Sequence, residues 1–458
     1  MNAELVSFEN KKFLRVELIP VRQKGKRFFI SIIPAKYFLD IYTVEPAEYD
    51  INRESAIANS FQDDRKYFEY LLTEDKKRID AKAFERKESK TRIKEIKKFL
   101  ETEEYALFPN TIIVTCDLLN DEYALQDHVK FSEIFEHSII DLSETGNLSY
   151  LEQNVDKYFL YIPYVPNSIL VIDGQHRLKG LKEADESIRN DYELLVTYIL
   201  QFERPVIAKL FYTINYTQKS VNKSLLYHLS GEFSRDIDVI TFWHEAVKLL
   251  NELRHSPFYK RIKMLGTIPQ NLSPQEKELM TLSQAFLIDY LKETTSDYAK
   301  RSIHQPIFLY YYKRTEMQIE IIRFLIRYFK AVSEIMKEEW NSPRTSIISK
   351  TVGVGALIKM LHFLFIKILF DEFDGDLDKI VKIDTEFFIQ KLDGIKNVDF
   401  STSGAYGGVG SAGSVNKLKK ELIEKIKYFS AENYDNFLKE YKQKYLEEFK
   451  QLLRNKKL

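Results

Sequence analysis

The sequence predicts an α+β protein in which a small mixed-sheet domain is followed by a mostly helical domain. Before about residue 230, short runs rich in β-branched and aromatic residues alternate with turn signals and charged amphipathic segments. From Gly231 onward, apolar residues recur at three- and four-residue steps, and several segments are apolar on most faces, which is typical of a buried bundle. We therefore predict a sheet domain at 1–230, a helical domain at 231–400, and a glycine-rich loop with a helical tail at 401–458.

The individual elements follow from local patterns. Two β-rich runs, 12–22 and 26–33, flank the turn at Gln23-Lys24-Gly25 and predict a hairpin. Further strands are expected at 108–116, 158–162, 169–172 and 192–200, and the sheet domain's helices at 34–42, 55–72, 79–100 and 175–184. The main helices of the second half are expected at 237–253, 274–291, 317–336 and 354–370.

The composition excludes several classes of protein. Lys plus Arg and Asp plus Glu are 68 each, so the net charge is zero and any nucleic-acid contact needs a local basic patch. Cys116 is the only cysteine, which excludes an internal disulfide framework and fits a reducing cytoplasm. We expect no membrane contact, because no apolar run is predicted to reach membrane-spanning length and the segment after Met1 lacks a secretory pattern.

The most informative stretch is Asp173-Gly174-Gln175-His176-Arg177, which follows the apolar run 169–172 and opens a predicted helix. A strand that passes through glycine into a helix directs several backbone N–H groups at one point, where an anion is favoured. Asp173 can cap the helix or bind a metal, and Gly174 allows close backbone approach. His176 can exchange a proton, and Arg177 can bind a phosphate through two hydrogen bonds. The strand–helix–strand order predicts a sheet with this ligand site at a strand's carboxyl end.

These five residues resemble the signature of the DGQHR-domain family, which includes the DndB regulators of DNA phosphorothioation and the DpdB partners in 7-deazaguanine DNA modification. The resemblance implies a distant relation to the ParB/sulfiredoxin fold, whose members hold nucleotide phosphates at the corresponding turn. Residues 108–116 are similar to the family's FPxxI strand. The segment 84–99 resembles a family segment that usually carries Gln-Arg where this chain has Glu85-Arg86; a solvated helix face is the alternative for Arg86 and Arg92.

A second segment resembles the family's F-x-x-I-N-x-x-Q-K-x-V pattern between Phe211 and Val221. Asn215 and Gln218 offer paired donor and acceptor groups for a base or ribose, and Lys219 offers a charge for phosphate. The alternative is that both amides stabilise a local turn. On the resemblance, we expect a nucleotide site formed by Gly174, Gln175, Arg177, Asn215, Gln218, Lys219 and Arg86.

The C-terminal part begins with a glycine-rich stretch, 403–413, that formally contains G-x-G-x-x-G but lacks a preceding strand. We interpret it as a loop that could let the backbone approach phosphates. In the helix that follows, Lys417, Lys420 and Lys427 recur at three- and seven-residue steps and could form a DNA-binding face. Leu418, Leu422 and Ile426, at four-residue steps, would pack this helix on the bundle, and a solvated helix without DNA contact is the alternative.

The leading hypothesis is a cytoplasmic nucleotide-binding protein of a bacterial DNA-modification or phage-defence system. It would bind ATP or a similar nucleotide with Mg²⁺, and could hydrolyse it through Asp173 or Glu85 as metal ligand and His176 as acid/base. DNA and other proteins of the system are expected partners, and a homo-oligomer is possible. The alternatives are a DndB-like transcriptional repressor without catalysis and a ParB-like nuclease.

Overall fold

The computed structural model describes residues 3–8, 11–44, 49–72, 90–119, 146–154, 157–202, 206–207, 210–211, 213, 223–233, 238–297, 302–407, 412–430 and 432–456. The chain divides into two compact units, each with its own core. The first, here called the sheet unit, comprises residues within 1–47 and 81–215, and the second, the helical unit, comprises residues within 48–80 and 216–458. The α+β class predicted from the sequence is confirmed.

The described strands of the sheet unit form one open, mixed nine-stranded sheet. These strands are β1 (Ala3–Phe8), β2 (Lys11–Gln23), β3 (Lys26–Pro34), β4 (Tyr42–Thr43), β5 (Ile112–Thr115), β6 (Tyr150–Asn154), β7 (Lys157–Pro163), β8 (Ile169–Asp173) and β9 (Glu193–Tyr198). Their order is β4-β8-β5-β9-β3-β2-β7-β6, with β1 paired to β2. Helices α1 (Ala35–Ile41), α4 (Lys90–Thr102), α5 (Gln175–Glu183) and α6 (Glu186–Asp191) belong to this unit.

The sheet core is built by alternation along the strands. In β2, Leu14, Val16 and Leu18 point into the same buried cluster as Leu178 and Leu181 of α5. The residues between them on β2 face the other side of the sheet. The helices therefore cover one face of the sheet, and the buried stripe of α5 fixes its start beside the end of β8.

The predicted hairpin is confirmed, and its end extends beyond the sheet. Lys24 and Gly25 both adopt positive φ, at 47° and 73°, as a two-residue type I′ turn requires. Strand β7 pairs with β2 only as far as Leu18, and β9 pairs with β3 only from Phe29. Residues 19–30, here called the β2–β3 ribbon, are therefore mostly paired with each other alone among the described strands.

The helical unit contains the remaining described helices: α2 (Ile51–Ala58), α3 (Asp64–Leu72), α7 (Lys223–Phe233), α8 (Val239–Glu252), α9 (Pro274–Leu279), α10 (Gln284–Leu291), α11 (Leu309–Tyr312), α12 (Gln318–Ile335), α13 (Lys337–Trp340), α14 (Thr351–Phe373), α15 (Leu377–Ile380), α16 (Thr385–Leu392), α17 (Ala412–Lys425), α18 (Tyr434–Tyr441) and α19 (Glu447–Asn455). Short strands β10 (Ile262–Lys263) and β11 (Leu282–Ser283) pair within it. One large apolar core joins these elements.

The division differs from the continuous 1–230 domain expected from the sequence, because α2 and α3 pack in the helical unit. Tyr49 donates a hydrogen bond of 2.6 Å to Glu252 on α8, and Tyr67 of α3 donates to the same carboxylate. Helix α17, in the predicted tail, also shares this core through buried Leu418 and Leu422. Non-local burial of this kind is not visible in the order of segments along the chain.

Helix α14 corrects one expectation from the sequence. Among the described residues, it is the one helix that is long and apolar enough to cross a membrane by length and composition. From the sequence we expected no apolar run of this length. Lys359 and Lys367 interrupt the run, but its mean hydropathy stays high enough for a membrane-spanning segment. Because 89% of its most apolar window is buried inside the protein, α14 is the central helix of this bundle.

Candidate functional site

The signature turn links β8 directly to α5 through a left-handed glycine. Gly174 has φ +110° and is the N-cap residue of α5. A Cβ atom at this position would lie 2.5 Å from Ile112 Cδ1 and 3.1 Å from Arg177 Nη2. Both the backbone conformation and the lack of space therefore require glycine here.

The first turn of α5 begins immediately after this glycine. The N–H of Leu178 donates to the carbonyl of Gly174 at 3.1 Å, which starts the helical hydrogen-bond series. The N–H groups of Gln175, His176 and Arg177 precede this series and are not used within the helix. Gln175 is buried and His176 is half-buried. The start of α5 thus has the geometry that favours an anion.

Arg177 donates hydrogen bonds to the segment immediately before β5. Its Nη1 donates to the carbonyl of Asn110 at 2.7 Å, and its Nη2 donates to the carbonyl of Thr111 at 3.0 Å. Nη2 also forms an ion pair of 3.0 Å with Asp173 Oδ2. Burial lowers the pKa of Arg177, while Asp173 acts in the opposite direction. Arg177 is therefore a partly buried clamp between β8, α5 and the start of β5.

A second positive charge acts on this turn from helix α4. Arg92 is exposed, and its charge contributes, after burial, to lowering the pKa of Arg177. The close approach of α4 depends on Gly180, because a Cβ there would lie 2.4 Å from Ile96 Cγ2. A glycine inside a helix is otherwise unfavourable, so Gly180 is a feature of the sequence from which the close packing of α4 on α5 could have been predicted. Arg92 is thus solvent-exposed, as the alternative interpretation expected, on a helix that packs against the signature helix.

The structure corrects one expectation for this turn. Asp173 does not cap α5, because Gly174 is the N-cap and makes no side-chain cap. The carboxylate pairs with Arg177 instead, four residues along the chain. The signature follows the carboxyl end of β8, as expected, and the strands before and after α5 are not parallel to each other. Strand β8 is antiparallel to β5, and β5 is parallel to β9, so β8 and β9 run in opposite directions.

Several predicted site residues lie outside the described residues. These are Glu85, Arg86, Asn215, Gln218 and Lys219. Their proximity to the signature therefore stays a prediction. Within the described part of the chain, no group of three or more His, Cys, Asp or Glu side chains could hold a metal ion. Asp173 as a metal ligand and His176 as an acid/base likewise stay predictions.

The tail lysines form only part of the expected face. Lys417 and Lys420 are exposed on α17, but this helix ends at Lys425, so Lys427 lies beyond it. The intervening Lys419 is buried and donates to Tyr434 Oη at 2.8 Å. The prediction that Leu418 would pack this helix on the bundle is confirmed. DNA binding by the three lysines stays a prediction.

Comparison with known proteins gives the family of this chain. A family model described as DndB, DNA-sulfur modification-associated, matches residues 18–406, which cover most of the chain and both units. No curated protein matched the chain, and no solved structure did. The match includes the signature strand and helix, α4 and the β2–β3 ribbon. The chain therefore belongs to the DndB family of DNA-sulfur modification-associated proteins.

Proposed function

We propose that this chain is a nucleotide-binding component of a cytoplasmic DNA-sulfur modification system, and that it binds ATP at the signature turn. The triphosphate would lie at the start of α5, where the left-handed Gly174 lets it approach the backbone. The observation that carries the proposal is the left-handed Gly174 at the start of α5, with the Arg177 guanidinium held beside it. The charge of Arg92 on helix α4 also acts on Arg177, and a bound polyanion would relieve the repulsion between these two like charges.

The two arginines would have different roles. Arg177 is held by two backbone carbonyls and Asp173, so it positions the turn and keeps a positive charge beside it. Its Nε makes no hydrogen bond within the described residues and could donate to a phosphate oxygen. Exposed Arg92 is the better direct ligand, because its guanidinium can fork onto phosphate.

Asp173 also fits a magnesium-bound nucleotide. One of its oxygens pairs with Arg177, and the other makes no hydrogen bond to the described residues. Nucleotide-associated Mg²⁺ is usually held by one or two carboxylates together with the phosphates and water. The ion would supply charge neutralisation at the phosphates. His176 is half-buried on the first turn of α5 and is our candidate for moving a proton if the nucleotide is hydrolysed.

The test compares two exposed cations on one helix. Arg92→Ala should weaken Mg-ATP binding by about ten- to a hundredfold, since a charge-assisted hydrogen bond contributes about 1.5–3 kcal/mol. Lys94→Ala removes the same charge from the same helix, where Lys94 is also exposed, and should leave the affinity unchanged. Isothermal titration calorimetry of folded variants measures both. Equal affinities for the two variants, or no binding of ATP by the parent, would contradict the proposal.

A DNA-binding regulator without catalysis is the second candidate function. The β2–β3 ribbon favours it, because it carries several cations and no acidic residue. Nucleotide turnover by the purified protein would support the first candidate. Specific duplex binding without nucleotide affinity would support the second, and metal-dependent DNA cleavage would instead indicate a nuclease.

A further inference from the structure

The β2–β3 ribbon concentrates positive charge in a chain whose net charge is zero. Arg22, Lys24, Lys26 and Arg27 lie in or beside its turn, and no acidic residue occurs between Glu17 and Asp40. The first three of these cations are exposed. In the tail helix, Glu421 and Glu424 follow Lys417 and Lys420, whereas the ribbon is a patch of one sign.

Two cations on the ribbon repel each other and so destabilise it. Arg22 is directly opposite Arg27 in the antiparallel register, so two like charges share one face. Arg27 is fixed in place, because its Nη1 donates to Tyr158 Oη at 2.8 Å and its guanidinium lies over the same ring. Arg22 therefore faces an immobilised positive charge. A bound anion would turn this unfavourable pair into a favourable one.

The shape of the ribbon narrows the class of anion. Each of its strands has five residues, Ile19–Gln23 and Lys26–Ile30, and extends about 15 Å at roughly 3.3 Å per residue. The major groove of duplex DNA is about 12 Å wide and admits a two-stranded β-ribbon. We infer that the β2–β3 ribbon enters the major groove of duplex DNA, where Arg22, Lys24 and Lys26 contact phosphates. This contact is independent of ATP binding at the signature turn.

An anionic membrane is the other polyanion that a basic hairpin could meet. The opposite face of the ribbon presents Ile19, Val21 and Phe28, and Ile19 is 58% exposed. A hairpin that inserts into a bilayer needs its cations around the apolar side chains. Here Arg22 and Arg27 lie on the face away from them, and Lys26 lies on the same face as the apolar side chains, next to the turn. Cations on both faces suit a groove with phosphates on both walls better than a bilayer, which only one face of the ribbon would enter.

The experiment uses two triple variants of the full chain that lose the same charge. The ribbon variant carries Arg22→Gln, Lys24→Gln and Lys26→Gln, and the tail variant carries Lys417→Gln, Lys420→Gln and Lys427→Gln. Fluorescence anisotropy with a labelled DNA duplex is measured at several salt concentrations. The ribbon variant should lose about tenfold or more in affinity at low salt, and its salt slope should fall by about 2–3, because three phosphate contacts no longer release counterions.

The tail variant should bind duplex DNA like the parent, and ATP affinity should be unchanged in the ribbon variant. An RNA duplex, whose major groove is deep and narrow, should show no ribbon-dependent difference. The inference is overturned if the parent does not bind duplex DNA, or if both triple variants lose affinity equally. It is also overturned if the ribbon variant loses only its binding to vesicles of phosphatidylcholine and phosphatidylserine. Circular dichroism verifies that both variants are folded.

Discussion

Replacement of Arg177 by alanine should destabilise the sheet unit, in addition to any effect on ATP. From the sequence alone, an arginine at a helix start is expected to be dispensable for folding. In the structure, its guanidinium joins the carbonyls of Asn110 and Thr111 to Asp173. It thereby connects the segment before β5 to the end of β8. Truncation removes all three contacts at once.

The size of the effect follows from these contacts. A hydrogen bond from a charged donor contributes about 1.5–3 kcal/mol when it is shielded, and a neutral one about 0.5–1.5 kcal/mol. The hydrogen bond to Asn110 is exposed, and the side chains of Arg177 and Asp173 are 18% and 31% exposed. Because water screens these contacts, each should contribute a free energy near the lower end of its range. Water can also hydrate the released carbonyls. We therefore expect a loss of about 2–4 kcal/mol in the free energy of unfolding.

Hydrogen exchange followed by mass spectrometry measures this loss locally. Peptides that cover 110–115 and 169–178 should lose protection in Arg177→Ala, while peptides from α14 should not change. Arg177→Lys keeps the charge but cannot reach both carbonyls and the carboxylate, so its loss should be intermediate. Arg92→Ala is the control, because it removes a positive charge that acts on the turn but leaves the three contacts of Arg177 in place. Protection in Arg177→Ala within about 0.5 kcal/mol of the parent would refute the assigned clamp.

Three further outcomes are expected. Gly174→Ala should lower the melting temperature of the sheet unit, since an alanine at positive φ costs about 1–3 kcal/mol and its Cβ would meet Ile112; an unchanged melting temperature would argue against the turn geometry. Arg22→Gln should raise stability by about 0.2–1 kcal/mol, because it removes the repulsion from Arg27, and thermal melts at low and high salt would show whether the gain is electrostatic. Burial lowers the pKa of Lys419 to about 8 from 10.5. Between these two pH values the folded protein binds fewer protons than the unfolded chain, so the free energy of unfolding should rise with pH. Urea titrations at several pH values should show this rise in the parent and not in Lys419→Met.

Several features of the site could be read from the residues themselves. The glycine that ends β8 and starts α5 was predictable, because only glycine readily takes positive φ at a strand-to-helix turn. The hairpin was predictable from a lysine–glycine turn between two alternating runs. The prediction that Asp173 caps α5 was wrong, because a carboxylate at a helix start can pair either with backbone N–H groups or with a nearby cation. Arg177 lies one helical turn away and provides that cation.

The sequence by itself determined the α+β class, the turn at Gly174 and the zero net charge that makes any DNA contact local. These depend on residue type, on φ and on periodicity, which act within a few residues of each other. Only the tertiary structure decided that the charge of Arg92 acts on Arg177, that α2 and α3 join the helical unit, and that Arg22 is opposite Arg27 on a ribbon beyond the sheet. Those facts depend on which segments far apart in the chain bury their apolar faces together. Burial is non-directional and proportional to area, so periodicity shows which face is buried and not its partner.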